Sequence, residues 1–403
     1  MSFFSLSQKR LDRLLCLDDF ETAARHFLPR PLFGFVSGAA EDNQSLRNNR
    51  AAFDRYAFVP RTLVDISRRS QAVTLFGREY AAPFGIAPLG MSALTAWRGD
   101  LTLAEAAAAA NVPMIMSGSS LIRLEDVAAA APGTWFQAYL PGDTAAIFAL
   151  VERVRAAGFG TLVITVDSPI AANRENNLRN GFSTPLRPTA RLAWDGLTHP
   201  RWLAGTFLRT LLRHGMPHFE NNYAHRGAPI MSKNVVRDFS DRGHLTWDHL
   251  AQIRAAWKGT LVVKGILHPD DARRACALGA DGIIVSNHGG RQLDGTIATL
   301  LALPGVVAAC GPVPVMLDSG VRRGTDVLKA LALGARMVFV GRPFGYAAAV
   351  GGPAGVRRAI GLLSDEVSRN IAMLGVQSLA QIEPGHLVET GAPLPHLSAH
   401  RAG

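Results

Sequence analysis

Eight short apolar runs constrain this chain more than any other feature. They read PFGIA (83–87), PMIMS (113–117), WFQAYL (135–140), TLVITV (161–166), TLVVKG (260–265), GIIVS (282–286), VPVML (313–317) and MVFVG (337–341). Each is too short for an ordinary helix and reads as a strand. Between them lie stretches with helical spacing, such as LTLAEAAAAA (101–110), TAAIFALVERVRAAG (144–158) and DVLKALALGA (326–335). Strands that alternate with helices make βαβ units and a parallel sheet. Strands that are apolar throughout belong in a sheet covered on both faces. Eight such units predict an α/β chain folded as a (β/α)8 TIM barrel rather than an open sheet.

The spacing breaks once. Successive runs start 20 to 35 residues apart, but nearly a hundred residues separate the starts of the fourth and fifth. An insertion is therefore expected between 168 and about 245, with its main part at 185–240. The barrel should occupy 83–375, a helical segment packed on it 1–82, and a C-terminal tail 376–403. With 48% hydrophobic residues, the chain can bury a sizeable core. Cys16, Cys276 and Cys310 lie far apart, which fits a reducing compartment and no metal site. The N-terminal stretch carries charges where a signal peptide needs apolar residues, and no apolar run is long enough to span a bilayer. A cytoplasmic location is expected.

The net charge is +10. Only five of the 42 basic residues are lysine, so much of this charge reads as an arginine-rich composition. The alternative is attraction to an anionic substrate, phosphate or lipid surface. No nucleic-acid motif is present, so nucleic acid is excluded as a partner.

Active sites of such barrels form at the C-terminal ends of the strands. Run three delivers Gln137 and Tyr139 there, run four Thr165 and Asp167, and run five Lys264. Run six ends in Ser286, Asn287 and His288, with Arg291 beyond. The last two runs lead into DSGVRRGTD (318–326) and GRP (341–343). Glycine turns that open helices present free N–H groups to an anion. Gly320, Arg322 and Arg323 on one turn, with Gly341 and Arg342 on the next, therefore suggest a phosphate site; ordinary turn chemistry is the alternative. His288 suits a general base, supported by Asp167. Arg291 suits a carboxylate anchor. Lys264 has three readings: a buried salt bridge, a Schiff-base lysine, or a partner for a cofactor that becomes anionic.

Five ordered motifs add a resemblance. SNHGGRQLD (286–294), VKG (263–265), TVDSP (165–169), FQAY (136–139) and DSGVRRGTD (318–326) resemble the FMN-dependent 2-hydroxy acid oxidases and dehydrogenases, from LPRPLFGFVSGAAED (28–42) to beyond residue 370. The resemblance implies an FMN enzyme that oxidises a small 2-hydroxy acid and passes electrons to a quinone, cytochrome or oxygen. It implies that His288 is the base and Asp167 its support, that Tyr139 hydrogen-bonds near the reacting hydroxyl, and that Arg291 and Arg174 bind the carboxylate. Lys264 would stand beside the flavin. Ser117, Gln137 and Thr165 would hydrogen-bond the ring, Ser286 would also contact the cofactor, and Pro88, Leu89 and Gly90 would supply backbone near flavin N5. Asp318, Gly320, Arg322, Gly341 and Arg342 would hold ribityl and phosphate. A homo-tetramer is the assembly implied.

Three positions depart from the family pattern. Phe35 replaces a tyrosine that helps hold the carboxylate, Ser119 replaces a bulky residue, and Leu89 replaces a threonine. The small Ser119 implies room for a larger, mandelate-like substituent, with L-lactate the other substrate considered. In the insertion, RPTARLAWDGLTHPRWLAGTFLRTLLRHGMPHF (187–219) combines five arginines with one acid and many Trp, Phe and Leu. Such a segment suits a membrane interface, or else packs on the barrel or a neighbouring subunit. Its DG-x-x-HPRW and RHGMP strings resemble the loop of membrane-associated mandelate and lactate dehydrogenases, which points to the inner face of the cell membrane.

Overall fold

The computed structural model describes residues 5–141, 143–233 and 242–391. All eight apolar runs are strands: β1 (Phe84–Ile86), β2 (Ile115–Ser117), β3 (Trp135–Ala138), β4 (Thr161–Thr165), β5 (Thr260–Ile266), β6 (Gly282–Val285), β7 (Val315–Asp318) and β8 (Met337–Val340). They pair in parallel in sequence order from β2 to β8, and β8 returns to pair with β1. A parallel bridge between Ile86 and Met114 brings β1 against the start of the β2 run, so the sheet is a nearly closed barrel. Alternate side chains fill its interior: Ile115, Trp135, Val163, Val262, Ile284, Met316, Met337 and Phe339 are all buried in one cluster. The barrel is a packed core, not a pore.

The N-terminal segment is helical only as far as Asp54, with helices at Gln8–Leu11, Leu17–Phe27, Arg30–Ser37 and Gln44–Asp54. A hairpin follows, Val73–Leu75 paired with Arg78–Tyr80. Its turn residues, Phe76 (φ 50) and Gly77 (φ 75), both have positive φ, as a tight two-residue hairpin requires. The Phe76 ring lies 5.5 Å from that of Trp135 and against the start of β6 at Gly282. The hairpin thereby closes the N-terminal mouth and leaves the opposite end open. The described part of the tail returns to the N-terminal segment, where Leu387–Glu389 pairs antiparallel with Tyr56–Phe58.

The insertion holds helices at Glu175–Asn180, Ala190–Leu197 and Pro200–Trp202, then a π-helical stretch (Leu203–Leu208) and a last turn (Arg209–His214). One side packs on the barrel. Trp202 is buried and its indole donates to Leu94 O at 2.8 Å, while the Arg209 guanidinium lies 4.0 Å from the Trp97 ring centroid. The other side exposes Trp194, Leu197, Leu208 and Leu212. Residues 234–241 of the expected insertion, and 392–403 of the expected tail, lie outside the described residues. No helix among the described residues is long and apolar enough to cross a membrane.

Candidate active site

A cavity of about 710 Å³ opens at the C-terminal ends of the strands, within the size range of small-molecule sites. Phe35, Pro88, Leu89, Gly90, Ser119, Tyr139, Thr165, Arg174, Lys264, His288, Arg291, Asp318, Gly320, Arg322, Gly341 and Arg342 line it. Of the remaining expected residues, Ser117, Gln137, Asp167 and Ser286 stand directly behind that lining, each hydrogen-bonded to it or to its neighbours. Residues from all eight strand ends, and from helix Arg30–Ser37, therefore meet in one place.

His288 stands at the end of β6 with φ 58, followed by Gly289 and Gly290, also at positive φ. A non-glycine residue held there costs on the order of 1–3 kcal/mol, so the surroundings must enforce it. They do: the His288 N–H donates to Ser286 Oγ at 3.0 Å, and Gly290 approaches so near to Leu46 N that a Cβ would lie 2.6 Å from it. The turn aims the imidazole into the cavity. Nδ1 lies 2.9 Å from Asp167 Oδ1 and Nε2 3.1 Å from the Tyr139 hydroxyl. An ionised Asp167 makes Nδ1 the protonated nitrogen and leaves Nε2 as an acceptor. Gly265, at a bulge in β5 with φ 103, lets Asp167 approach; a Cβ there would lie 2.7 Å from the Asp167 side chain.

Burial pushes the His288 pKa down. Asp167 opposes that, but Lys264 and Arg174 reinforce it, so the imidazole rests neutral. Burial disfavours the Asp167 carboxylate, yet His288 and Lys264 outweigh it and hold Asp167 below the usual carboxylate range. An ionised acid behind a neutral imidazole can accept a proton from a bound molecule.

Lys264 lies 3.1 Å from Asp318 Oδ2 and donates to Ser286 Oγ at 2.7 Å. Burial works against its charge, but Asp318 and Asp167 prevail and raise its pKa, so it stays an ammonium. The buried-salt-bridge reading of Lys264 thus describes its geometry, and Asp318 divides its role between this ion pair and the cavity wall. A lysine held as an ammonium is a poor Schiff-base nucleophile. Ser117 Oγ donates to Gln137 Oε1 at 3.2 Å, while Gln137 Nε2 and Thr165 Oγ1 are buried with no hydrogen-bond partner among the described residues.

Three arginines converge on the far wall. Arg291 donates to Gly38 O (2.7 Å) and Val36 O (3.2 Å), with its guanidinium 5.0 Å from the Phe35 ring centroid. Arg342 reaches the same two carbonyls and also Gly289 O. Arg174 donates to Arg291 O at 3.0 Å and Gln292 Oε1 at 2.6 Å. None of the three forms an ion pair with a carboxylate among the described residues. Burial, then the charges of Arg174 and Arg342, holds the Arg291 pKa well below its ordinary value. Burial pushes that of Arg342 down to about 10. Buried guanidinium groups partnered only by carbonyls create a seat for anions.

Several contributors escaped the sequence reading. Phe182 stacks on Phe35 at 4.5 Å, and the Arg242 guanidinium lies 4.4 Å from the Tyr139 ring centroid. Both come from the long β4–β5 connection, where composition gives no hint of position. Gln292, by contrast, lies inside the SNHGGRQLD string that the sequence already marked.

Comparison with known proteins agrees with this geometry. Residues 24–389 match the FMN-dependent dehydrogenase family. The chain is 39% identical over 378 residues to an L-lactate oxidase of Lysinibacillus sphaericus (strain C3-41), covering 93% of each. It is 36% identical over 389 residues to an (S)-mandelate dehydrogenase of Pseudomonas putida, covering 95% of this chain and 97% of that one. Among solved structures, the monotopic membrane protein (S)-mandelate dehydrogenase superposes with a TM-score of 0.88 at 35% identity, covering 94% of this chain and all of that one. A nearly closed parallel barrel, an imidazole–carboxylate pair at its mouth and a family match over almost the whole length lead to one conclusion: this chain belongs to the FMN-dependent dehydrogenases that oxidise 2-hydroxy acids.

Proposed function

We propose that the chain is a membrane-associated dehydrogenase that oxidises an (S)-2-hydroxy acid with a bulky, mandelate-like substituent to the 2-oxo acid. The observation that carries the chemistry is the placing of neutral His288 between Asp167 and Tyr139, beside an anion seat made by Arg291 and Arg174. In this reading the two arginines hold the substrate carboxylate. The hydroxyl lies at His288 Nε2 and the Tyr139 hydroxyl, and His288 takes a proton while Asp167 stabilises the resulting imidazolium. In net terms the substrate loses two protons, one from C2 and one from the hydroxyl, and two electrons.

The cofactor's site fits the residues present. The buried, unpartnered Gln137 Nε2 and Thr165 Oγ1 have hydrogen-bonding capacity that the polar edge of a flavin ring would use. Gly341 caps the helix that opens at Arg342, and Gly320 (φ 92) sits in the turn before helix Gly324–Ala332, with Arg322 and Arg342 beside them. That arrangement suits a phosphate. Lys264 would balance negative charge on the ring. When bound, FMN supplies a two-electron acceptor at the open face of the barrel.

Support for a bulky substituent comes from Ser119 in the cavity wall and from the likeness to mandelate enzymes. Support for membrane association comes from the exposed Trp194, Leu197, Leu208 and Leu212, interspersed with exposed Arg191, Arg201 and Arg213, and from the monotopic relative. In this reading the enzyme works on the cytoplasmic face as a homo-tetramer, and a quinone or cytochrome rather than oxygen is the acceptor. L-Lactate is the second substrate reading, favoured by the relatives that bear that name.

The test is an anaerobic mix of the FMN-loaded protein with a panel of (S)-2-hydroxy acids, followed by visible flavin absorbance. Bleaching fastest with (S)-mandelate is expected. Bleaching by L-lactate alone would transfer the assignment to lactate, and a flavin that no 2-hydroxy acid bleaches would refute the reading.

A further inference from the structure

Helix Arg30–Ser37 carries Phe35 and ends at the carbonyls that hold Arg291. Helix Glu175–Asn180 begins one residue after Arg174. The two are far apart in sequence, and side-chain amides join them. Asn176 Nδ2 donates to Gly34 O at 2.7 Å. Asn180 Nδ2 donates back to Asn176, to its backbone carbonyl at 2.8 Å and to Oδ1 at 3.1 Å, which fixes the orientation of the Asn176 amide. The helices approach this closely because positions 34 and 38 lack side chains. A Cβ at Gly34 would lie 2.6 Å from Asn180 Cγ, and one at Gly38 would collide with the Asn176 amide.

A ring of contacts results. Arg174 leads along its helix to Asn176, then to Gly34, along the second helix to Val36 and Gly38, then to Arg291, whose carbonyl accepts from Arg174 Nε at 3.0 Å. Arg174 and Arg291 are like charges that repel at short range. Something must hold them at the spacing that two oxygens of one carboxylate can bridge, and misplacement by about 1 Å is enough to weaken that grip.

We propose that Asn176 is a positioning residue: its amide locks the Arg174 helix onto the Phe35 helix and so sets the spacing of the Arg174 and Arg291 guanidinium groups for a substrate carboxylate. The inference rests on the reading that these two arginines grip that carboxylate. Nothing in it requires Asn176 to touch substrate or cofactor.

The test uses FMN-loaded Asn176→Leu and Asn176→Asp proteins. Oxalate is the binding probe, titrated against flavin absorbance, because it presents adjacent carboxylate oxygens and has no C2 hydrogen to lose. Both variants should raise the oxalate Kd and the KM of the best panel substrate about tenfold. kcat and the FMN Kd should stay within about twofold, since the interaction lost is one of ground-state anchoring. Asn176→Asp keeps the acceptor toward Asn180 but sets a carboxylate oxygen against the Gly34 carbonyl in place of the donor, so it should weaken binding at least as much as Asn176→Leu. Gly38→Ala should give the same rise by displacing the amide. Combined with Asn176→Ala it should be little worse than Asn176→Ala alone, because the collision with the amide is gone and only the Gly34 carbonyl remains near, at 3.0 Å.

An Arg291→Lys control separates the failures. If it leaves oxalate binding unchanged, the carboxylate-anchor reading falls and this proposal with it. If it weakens oxalate binding while the Asn176 variants do not, the proposal alone is overturned. Loss of FMN affinity and melting temperature in step with oxalate affinity would make Asn176 a packing residue and would also overturn it.

Discussion

At the scale of single residues, the proposed chemistry turns on His288. It occupies a left-handed backbone conformation, has a partner on each ring nitrogen, and faces the cavity. His288→Ala should retain FMN and slow anaerobic flavin reduction by about 10²–10⁴-fold, the range usual for a lost general base. Unimpaired reduction in that variant would remove the role. Since burial first, then Lys264 and Arg174, lowers the pKa of His288, its neutral form persists to more acidic pH than an ordinary histidine. The acid limb of kcat/KM should therefore lie below the unperturbed value of about 6.5, with activity full above it and lost as pH falls through the lowered pKa. A limb above pH 7 would contradict the assignment. Phe35 offers a second handle. Its ring packs between Arg291 and Phe182, so Phe35→Tyr adds a hydroxyl beside the carboxylate seat. One added hydrogen bond to a charged group should lower KM roughly tenfold to a hundredfold. An unchanged KM would mean that Arg174 and Arg291 already satisfy the carboxylate.

At the scale of elements, helix Gly99–Ala109 carries a buried carboxyl in its first turn. Asp100 accepts from Ser92 Oγ at 2.6 Å, and burial pushes its pKa up to about 6, with the Ser92 hydroxyl opposing. A carboxyl whose folded pKa is raised contributes stability that is full below the ordinary carboxylate range and is lost as pH rises through about 6. Asp100→Asn removes that ionisation while keeping an acceptor for Ser92. The variant should melt higher than the parent at pH 8 and close to it at pH 4, read by thermal unfolding at both. Equal shifts at the two pH values would show that the carboxyl does not titrate in this range. Other elements explain how close approach was achieved: Gly265 makes room for Asp167, and Gly290 makes room for Leu46 beneath the His288 turn.

At the scale of the whole molecule, the hairpin at Val73–Tyr80 closes one end of the barrel, and the insertion flanks the end that stays open. Removing the insertion outright would expose the surface that Trp202 covers, so substitution is the sharper test of membrane binding. Changing Trp194, Leu197, Leu208 and Leu212 to glutamine should reduce cosedimentation with anionic vesicles more than tenfold, since each large apolar side chain is worth roughly 1.5–3 kcal/mol when fully buried. Activity toward a soluble dye should persist. Undiminished vesicle binding would leave the exposed face to another partner.

The sequence by itself determined the barrel and which polar residues stand at its strand ends, because both are written locally. A strand announces itself by a few consecutive apolar residues, and SNHGGRQLD carries its turn glycines, histidine and arginine within nine positions. The extent of the N-terminal helices was less legible. TLFGREY forms a hairpin through positive φ at Phe76, a conformation that a non-glycine side chain seldom advertises. Tertiary structure alone decided which groups meet. It matched Lys264 with Asp318 and set Phe182 against Phe35. It also brought two arginines to the same carbonyls at Val36 and Gly38. Those contacts join residues from more than fifty to more than three hundred positions apart. They depend on barrel closure and on helices docking across its mouth, and no local pattern of side chains encodes that geometry.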